Sequence, residues 1–510
     1  MPELTFGNIL GGVSYSIPPG ELPPFFMADS QNVVPTLTGY GTPRGGSSKF
    51  NSTAYGTVIT TFHELSGTQF KFASQGTEIG VESGSGDFTN HITGLTDGAF
   101  GQWMNFGNYA IFANGSDNVQ RSDGTTGTDL TADLGGIPGG QCVVEWGERA
   151  WVGGYTDNVA TLVGSALRAE TDFSAATTST GFFSGPVGNV KEPIIGLFSF
   201  FDLLLIGKLN QMYQLTGAPE TDSQTFRLIP VQTKEKDSFG FTSKNAITQV
   251  GNDLLFLDGF NIKKLSDITR YGDVESVSII GNIKDFFRDA DGAGLDKDLL
   301  QNSFFFHYKH KEQVWCSIPT GANTRYWFVI DYSNPALRAA LEIPQYSIYP
   351  MAGLTPICFG GVDNGSRVDI YAGGTDGFVR QLDTGTNDTN TAVDSYMTWG
   401  IGHATRNIQP NYVILNVKNN GALTLAPSYA MGLQDWQGIR DSANFTDLAS
   451  EDITSATWRT KGNVSYKKIV EMMFNTDKSF SFKLRHNKAG ETFEMRKSSM
   501  HLTNKYRYVG

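Results

Sequence analysis

Side chains able to bind a metal ion or to act as acid and base are few in this chain, and their spacing is unfavourable. His307 and His310 form the only close pair of histidines. Strand residues three positions apart lie on opposite faces, so this pair does not predict a shared metal ion. Residues 289–296 resemble the start of a calcium-binding loop, but Ala293 and Leu300 stand where oxygen ligands are required. We therefore predict no metal site.

Motifs of common enzyme classes are also missing from the sequence. It contains no Gly-x-x-x-x-Gly-Lys-Ser/Thr loop, no Gly-x-Ser-x-Gly turn and no His-Glu-x-x-His helix. Sialidase-like propellers carry Ser-x-Asp-x-Gly-x-Thr-Trp loops, and the nearest segment here, residues 122–128, has its aspartate one place early and lacks the tryptophan. We predict a non-enzymatic protein with no catalytic residue and no cofactor. A carboxylate pair at glycosidase distance is not visible in a sequence, so a glycan-binding or glycan-degrading propeller stays open as an alternative.

Cysteine usage and apolar runs bear on the compartment of the protein. Cys142, Cys316 and Cys358 are far apart and form no Cys-x-x-Cys pair, so neither a disulfide framework nor a zinc module is predicted. The amino terminus shows no basic region followed by an apolar run, so no secretory signal is expected. The most apolar window, residues 193–206, is short and contains Asp202, so no membrane span is expected. We expect synthesis in a cytoplasm.

Composition points to many short strands. The chain has 59 glycines, 12% aromatic residues and only 18% charged residues, a usage typical of strands joined by tight turns. The formal net charge is −12, but residues 1–387 hold 24 basic and 40 acidic residues, whereas residues 388–510 hold 15 and 11. Residues 461–510 are the most basic segment, with 11 Lys and Arg against 4 Asp and Glu. The chain as a whole is therefore not built as a polyanion binder.

A repeated unit determines the predicted fold. Each copy is a short apolar strand, a turn of Gly, Asn or Asp, and a second strand, as in Leu203–Gly207 followed by Gln211–Gly217. Asp-Gly and Asn-Gly pairs supply the positive φ angles that tight hairpins need. Units begin near residues 70, 108, 148, 202, 253, 313 and 369, a spacing of about 40 to 60 residues. This predicts an all-β, β-propeller-like radial repeat of about seven blades, with six to eight allowed.

Three regions follow from the pattern. Residues 1–50 are predicted as an N-terminal entry segment, residues 51–387 as the β-propeller and residues 388–510 as a C-terminal antiparallel β domain. Apolar residues at spacings of three and four predict one helix over residues 274–287. In the C-terminal domain, residues 412–425 and 466–486 are each predicted to form a hairpin. A large irregular β-sandwich is the alternative architecture.

Several short segments, taken in order, resemble the tail nozzle family of short-tailed bacteriophages, also called tail tubular protein B or DNA-stabilisation protein. Gly11-Gly12, Asn32-Val33 and Thr42-Pro-Arg-Gly45 are similar to the family's entry segment, although the Pro here precedes the Arg. Two groups of segments resemble internal blades of the family: Glu148–Gly154 with Gly164-Ser165 and Thr171–Phe173, and Met212–Gly217 with Thr225–Leu228. A third group resembles the family's terminal β segment: Trp458–Thr460 with Lys467-Lys468.

The resemblance implies a structural virion protein without catalytic residues. It implies a ring of about six copies, a hexamer, around the DNA exit channel below the portal adaptor. On this basis we expect a tail component that retains and releases DNA, contacts the adaptor and anchors fibre, tailspike or tip proteins. Double-stranded DNA would pass through the ring channel without sequence-specific binding. A cellular propeller scaffold for protein partners is a further alternative.

The basic segment 461–510 is predicted to dock on an acidic surface of a neighbouring subunit or of the adaptor, because opposite charges steer assembly. A solvated basic face and a DNA-gripping tail are the alternatives. The four residues proposed for docking are Lys467, Lys468, Lys483 and Arg485.

Overall fold

The computed structural model of the chain describes residues 3–130, 139–155, 158–169, 173, 183–217, 226–231, 239–266, 275–289, 292–402, 407–419, 423–432, 435–447, 451–453, 465–471 and 479–505. Within these ranges the chain forms 45 strands and three short α-helices, which are α1 (Lys284–Arg288), α2 (Pro335–Ala340) and α3 (Trp436–Arg440). The all-β class predicted from composition is confirmed.

The N-terminal fifty residues form seven short strands, three of which (the first, fourth and seventh) pair with distant parts of the chain. These strands are β1 (Glu3–Phe6), β2 (Gly12–Val13), β3 (Phe26–Met27), β4 (Asp29–Gln31), β5 (Val33–Pro35), β6 (Gly41–Pro43) and β7 (Ser47–Lys49). Only β2 with β3 and β5 with β6 pair among themselves.

Six consecutive four-stranded antiparallel sheets follow, each a meander of neighbouring strands, and they are named blades 1 to 6. Blades 1 and 2 consist of β8 (Ile59–Glu64), β9 (Lys71–Gln75), β10 (Glu78–Glu82) and β11 (Thr89–Thr93), and of β12 (Gln102–Phe106), β13 (Tyr109–Ala113), β14 (Gln120–Ser122) and β15 (Gly127–Asp129). Blades 3 and 4 consist of β16 (Cys142–Trp146), β17 (Arg149–Tyr155), β18 (Asn158–Gly164) and β19 (Phe183–Pro186), and of β20 (Gly196–Phe200), β21 (Leu203–Gly207), β22 (Met212–Thr216) and β23 (Arg227–Pro230). Blades 5 and 6 consist of β24 (Ile247–Val250), β25 (Asp253–Asp258), β26 (Asn261–Ser266) and β27 (Glu275–Ser278), and of β28 (Phe304–Tyr308), β29 (Gln313–Pro319), β30 (Arg325–Asp331) and β31 (Ser347–Met351).

Blade 7 is completed by the N-terminal segment. Its first three strands are β32 (Cys358–Asp363), β33 (Val368–Gly373) and β34 (Val379–Leu382), and the fourth is β7, which pairs with β34. Two short strands, β35 (Asn387–Asp388) and β36 (Thr391–Ala392), extend the sheet beyond β7. The outer strand of the last blade thus comes from the other end of the chain, which closes the ring non-locally.

The first strand of each blade lies innermost and contacts the first strand of the next. The first strands β12, β16 and β20 are neighbours in turn, and β32 of blade 7 packs beside β8 of blade 1. Blades 1 and 2 are joined by a hydrogen bond of 2.8 Å from Trp103 Nε1 to Thr61 Oγ1. Stacking the blades radially buries both faces of sheets that could not bury them alone. The predicted propeller is confirmed, with seven blades in the described residues.

The repeated sequence units correspond to the second and third strands of the blades. Trp151, Leu204, Phe256 and Trp315 are all on second strands and almost fully buried. The four residues, however, lie at different distances from the first residue of their strands. Trp151 and Trp315 are two residues after it, Leu204 is one residue after it and Phe256 is three residues after it. Strand side chains alternate between faces. The sequence repeat predicts equivalent inner-strand positions for these four residues, and this prediction is wrong: Trp151 and Leu204 lie on either side of the gap between blades 3 and 4, in one apolar cluster.

The helix predicted for residues 274–287 is only partly present. Glu275–Ser278 is the outer strand β27 of blade 5, followed by a 3₁₀ turn at Gly281–Ile283 and by the five-residue α1. Ile280, Ile283 and Phe287 are buried, as an apolar stripe requires, whereas Val277 is 42% exposed. Backbone pairing with β26 determines the conformation of the first part of this segment, and β-branched Val277 suits it.

The C-terminal region forms two antiparallel sheets packed face to face, named here the sandwich. One sheet has the strand order β1, β45, β38, β42, with β44 also pairing with β38, and the other has the order β4, β37, β43, β39, β40, with β41 also pairing with β39. Their bounds are β37 (Ser395–Gly402), β38 (Asn407–Asn419), β39 (Leu423–Met431), β40 (Thr446–Asp447), β41 (Glu451–Ile453), β42 (Ser465–Glu471), β43 (Ser479–His486), β44 (Phe493–Met495) and β45 (Ser498–Lys505). Phe6 of the first sheet packs on Trp399 of the second, with ring centroids 4.8 Å apart.

In the described parts of residues 412–425 and 466–486, the strands of the two predicted C-terminal hairpins do not pair with each other. Residues 420–422 and 472–478 lie outside the described ranges. The consecutive strands β38 and β39 belong to opposite sheets, and so do β42 and β43. Instead, β38 pairs with β42 and β45, while β43 pairs with β37 and β39. Each strand buries one apolar face against the facing sheet, and a connection that crosses between sheets satisfies the same alternation as a hairpin. The alternating pattern was correct, but the pairing partners inferred from it were wrong.

Residues 1–50, predicted as an entry segment, join the two larger regions. β1 pairs with β45 and β4 pairs with β37, so both sandwich sheets contain an N-terminal strand. β7 closes blade 7. One continuous apolar core includes Phe6 of β1, Trp315 of blade 6 and Phe482 of the sandwich. Propeller and sandwich are therefore packed on one another through the N-terminal segment.

Candidate functional site

The four predicted docking residues lie on two strands of the sandwich. Lys467 and Lys468 are on β42, where their backbones pair with Asn416 and Leu415 of β38. In the described residues β42 pairs on one side only, so it is an edge strand of its sheet. Lys483 and Arg485 are on β43, in the middle of the other sheet. The structure therefore divides the predicted set into an edge pair and a central pair.

Lys483 is enclosed by the fold. It is 5% exposed, and its ammonium lies 3.9 Å from the ring centroid of Tyr396 and 5.1 Å from that of Phe445. Burial lowers the pKa of Lys483, and the nearby Asp29 carboxylate opposes this shift. Such a group reaches only a partner that enters its cavity, and it does not form part of a flat docking surface.

Arg485 lies at the rim and is already paired within the chain. Its Nε and Nη2 atoms donate to the two oxygens of Asp394, at 2.7 and 2.8 Å. This hydrogen bonding raises the pKa of Arg485. About half of the side chain remains exposed, which leaves part of the guanidinium accessible from outside.

Lys483 and Arg485 both line a polar cavity of about 540 Å³, named here the β43 cavity. Its other charged or polar lining residues are Gln31, Asp394, Tyr396, Arg440, Asp441 and Ser442. The cavity lies where the sheet of β4, β37 and β43 meets α3 and the loop at Gly292. Its size is that of a small-molecule site.

The Asp29 carboxylate lies close to the β43 cavity and is buried. One of its oxygens accepts a hydrogen bond from the Tyr15 hydroxyl and the other from the Tyr396 hydroxyl, both at 2.7 Å. Burial raises the pKa of Asp29, and the two tyrosine hydrogen bonds oppose that rise. Tyr396 thus holds Asp29 through its hydroxyl while its ring face contacts Lys483.

Arg440 is positioned by the short helix α3. Asp435 caps this helix by accepting a hydrogen bond of 2.7 Å from the Gly438 amide. Arg440 is the last residue of α3, and its guanidinium lies 4.7 Å from the ring centroid of Phe286 in α1. Its Nη1 makes a long contact of 3.4 Å with the Gly292 carbonyl. α3 therefore places a cation at the cavity next to the sandwich sheet.

The propeller bore is narrow. A cavity of about 270 Å³ lies among the first strands, with His63, Trp103, Phe198, Lys244 and Phe306 in its wall. A DNA duplex, whose major groove alone is ~12 Å wide, does not fit through it. Any duplex handled by this protein therefore passes outside the propeller axis.

Residues singled out from the sequence for chemistry have structural roles. His307 Nε2 bonds to the Tyr332 hydroxyl at 2.7 Å, while His310 lies in the turn after β28. Asp123 Oδ1 accepts the Thr125 and Thr126 amides and so caps the turn of residues 122–128. In the described ranges no three His, Cys, Asp or Glu residues gather where they could hold a metal ion. Part of the calcium-like segment, residues 290 and 291, lies outside those ranges.

The three cysteines are buried free thiols, and burial raises the pKa of Cys142 and of Cys358 to about 12. Among the described helices, none is long and apolar enough to cross a bilayer.

Sequence reasoning missed two buried arginines. Arg44 donates from Nε to Asn32 Oδ1 at 3.0 Å and from Nη1 to Asp388 Oδ1 at 3.0 Å. Arg338 donates to Asp331 Oδ1 at 2.7 Å and to the Leu10 carbonyl at 2.8 Å. A lone arginine in the Gly-Pro-rich segment 41–46 was a possible signal for the first pair, whereas nothing in the local sequence marks the second.

The segments that resemble a known family are coherent in space. Arg44 and Asn32, both in the entry segment, bond to each other. Gly12 has a φ of +72°, and a Cβ there would lie 2.8 Å from the Ile348 carbonyl oxygen, so this position needs glycine. In blade 3, Arg149 Nη1 donates to the Ser165 carbonyl at 2.7 Å.

The other described segments of this kind also contact one another within their blades. The Trp151 ring packs against Gly164, where a Cβ would come within 2.7 Å of it. In blade 4, Thr216 pairs with Arg227 across β22 and β23. Residues 171, 172, 225 and 458–460 of these segments lie outside the described ranges.

Comparison with known proteins identifies no relative by sequence: no family model matches the chain, and no curated protein matches it significantly. Similar solved structures include a computationally designed protein, Ika8, at 11% identity over 66% of this chain and 99% of that chain, with a TM-score of 0.37. They also include the WD40 domain of Neurospora crassa Pan2 (8% identity, 66% and 97% coverage, TM-score 0.38) and the N-terminal domain of Nup159 (10%, 72% and 97%, 0.38). These scores carry no functional argument. The propeller assignment rests on the seven sheets of the chain itself.

Proposed function

We propose that this chain is a structural subunit of the tail of a short-tailed bacteriophage, a nozzle or tube component that forms a ring below the portal adaptor. The observation that carries the proposal is the order of the family-like segments along the chain, together with the contacts between their separated parts. Arg149 with Ser165 and Asn32 with Arg44 are bonded pairs drawn from such segments.

The architecture is suited to a load-bearing role. The first and last described strands, β1 and β45, pair with each other, and Ser47–Lys49 closes blade 7. Two buried contacts tie the N-terminal segment to the propeller: the ion pair of Arg44 with Asp388, and the hydrogen bond that Arg338 donates to the Leu10 carbonyl. Opening the propeller of one subunit requires breaking these contacts, which suits a subunit that has to resist mechanical load.

In this proposal DNA passes through the hole between subunits. The bore of a single propeller has a cavity of only about 270 Å³ and does not admit a duplex. Residues 1–387 carry 40 acidic and 24 basic residues, so an acidic wall would neutralise few phosphates. DNA would slide past such a wall without sequence-specific binding.

Docking between subunits, or on the adaptor, is assigned to the edge strand β42 with Lys467 and Lys468. An edge strand that carries lysines resists pairing with arbitrary strands, and an acidic partner surface attracts it. Arg485 contributes through the exposed half of its side chain. Lys483 is excluded from a surface role because it is enclosed.

Mobility shift and assembly assays test this function together. The purified chain is mixed with duplex DNA at about 50 mM and about 200 mM salt, and separately with its adaptor. We expect weak DNA binding at both salt concentrations and loss of adaptor assembly in the variant Lys467→Glu/Lys468→Glu. The matched control is Lys191→Glu, an exposed lysine that precedes blade 4. Tight, salt-sensitive DNA binding with unchanged assembly, or specific capture or cleavage of a glycan, would overturn the proposal.

A further inference from the structure

Among the described residues, the lining of the β43 cavity holds three cations, Lys483, Arg440 and Arg485, and two carboxylates, Asp394 and Asp441, and of the three cations only Arg485 is ion-paired. Within the described part of the chain, no acceptor or carboxylate bonds to the ammonium of Lys483, although this side chain is 5% exposed and lines the cavity. An ammonium has three donors and no acceptor, so burying it with none of them used is costly. Its neighbour is the ring face of Tyr396, which satisfies only part of this need.

The nearby carboxylates are already committed to other groups. Asp29 accepts one tyrosine hydroxyl on each oxygen, and Asp394 is bonded at both oxygens to Arg485. Asp441 accepts the amide of Ala443 at 2.9 Å.

Arg440 is the second cation of the cavity that has no carboxylate partner. No acidic oxygen of the described residues lies within ion-pair distance of its guanidinium, which rests on the ring of Phe286. It lines the same cavity as Lys483, and both act on the buried Asp29. Two cations without an ion pair, Lys483 and Arg440, line one polar cavity of about 540 Å³, an arrangement that suits a negatively charged group.

We propose that the β43 cavity binds a small oxyanion, a phosphate or a carboxylate, held by Lys483 from the floor and by Arg440 from the rim. The oxyanion accepts hydrogen bonds from the ammonium and the guanidinium, and these charge-assisted bonds are stronger than neutral ones. The amide of Gln31 also lines the cavity and is available to orient the ligand. Burial lowers the pKa of Lys483, and a bound anion reverses that effect by favouring the charged ammonium. The site does not depend on the proposed tail function.

The test is thermal unfolding of the purified full chain in increasing sodium phosphate, against sodium chloride at matched ionic strength. A ligand that binds only the folded state raises the unfolding midpoint with saturable dependence on its concentration. We expect such a rise with phosphate. Lys483→Met and Arg440→Gln should each raise the concentration needed for half of the effect at least tenfold.

The matched controls are Lys488→Met and Arg227→Gln, exposed residues outside the cavity, which should respond as the unchanged chain does. If Lys483→Met fails to fold, Arg440→Gln decides, because Arg440 is exposed. Acetate and succinate in place of phosphate identify the chemistry of the ligand: a phosphate preference indicates a phosphate group, and a carboxylate preference indicates a carboxylate. No saturable shift with any of these anions, or an equal shift in the cavity variants, would overturn the proposal.

Discussion

Arg44 and Asp388 form a buried ion pair that holds the N-terminal segment against blade 7, and the variant Asp388→Asn is expected to break it. Arg44 is 1% exposed and Asp388 9%. Asp388 accepts from both terminal nitrogens of Arg44 and from the Ser47 hydroxyl at 3.0 Å. The side-chain amide of the asparagine removes the negative charge that balances Arg44, and it places an NH₂ donor next to the donors of Arg44 and Ser47.

The size of the effect follows from the burial of both partners. Removing one partner of a buried pair leaves an uncompensated charge and costs about 3–5 kcal/mol of unfolding free energy. The guanidinium keeps its hydrogen bonds to Asn32 Oδ1 and to the Gly45 and Ala352 carbonyls, so the variant should still fold. The matched control is Glu148→Gln, which breaks an exposed Arg168–Glu148 pair that also has two hydrogen bonds and should be nearly silent.

Hydrogen exchange is the suitable assay, because a chain of 510 residues does not have to unfold in one step. In Asp388→Asn, the amides of Ser47–Lys49 and of Val379–Leu382, which pair to close blade 7, should exchange faster. Those of blade 4 should be unchanged. A loss of less than about 1 kcal/mol at the closing strands, or an equal loss in blade 4, would refute the role assigned to this pair.

Three further outcomes are expected. Trp151→Ala, which empties the gap between blades 3 and 4, should cost about 3–5 kcal/mol by urea unfolding, whereas Lys191→Ala at the surface should change little. Burial lowers the pKa of Lys244 to about 8, so the native state loses this proton before the unfolded state does as the pH rises. The unfolding free energy of the unchanged chain, relative to that of Lys244→Met, should therefore increase by about 3 kcal/mol between pH ~8 and pH ~10.5. A difference that does not change with pH would contradict this prediction. Tyr396→Phe leaves one oxygen of buried Asp29 without its hydroxyl donor and should cost about 1–3 kcal/mol, measured in the same way, with an unchanged stability as the contrary result.

Local patterns predicted the blades well because the meanders are made of neighbouring strands. In Asp253–Asp258 and Asn261–Ser266 the apolar run and the turn glycine, Gly259 with a φ of +58°, already specify a hairpin. The face of each strand was harder to predict. Trp151 and Leu204 both look like core residues, but the position of the preceding turn determines which neighbouring blade each one contacts.

Non-local pairing could not be inferred from one sequence. β7 pairs with β34, more than three hundred residues away, and no local signal identifies the partner of so short a strand. The sandwich presents the same difficulty, because the alternation in residues 466–486 fits both a hairpin and two strands in facing sheets. The helix prediction failed for a different reason: helical periodicity was assigned to a segment that contains Val277, which lies on an outer strand.

The β43 cavity was only half visible in the sequence. Charge counting singled out Lys483 and Arg485, which do line it. Its other contributors, Gln31, Tyr396 and Arg440, come from three distant segments that the fold brings together. Counting charges also gave no indication that Lys483 is enclosed while Arg485 is paired with Asp394. Burial and ion pairing depend on the tertiary structure, so only the fold separates the enclosed Lys483 from the other predicted docking residues.

Electron cryomicroscopy of the phage particle that carries this chain tests the central claim most directly. The proposed function predicts a closed ring of copies on the tail axis directly below the portal adaptor, with duplex DNA in the hole between subunits and none in the propeller bores. It also predicts that β42 of each copy faces an acidic surface of a neighbouring subunit or of the adaptor. A particle in which the chain is missing from the tail axis, or is present only at the tips of fibres with bound glycan, would contradict the claim.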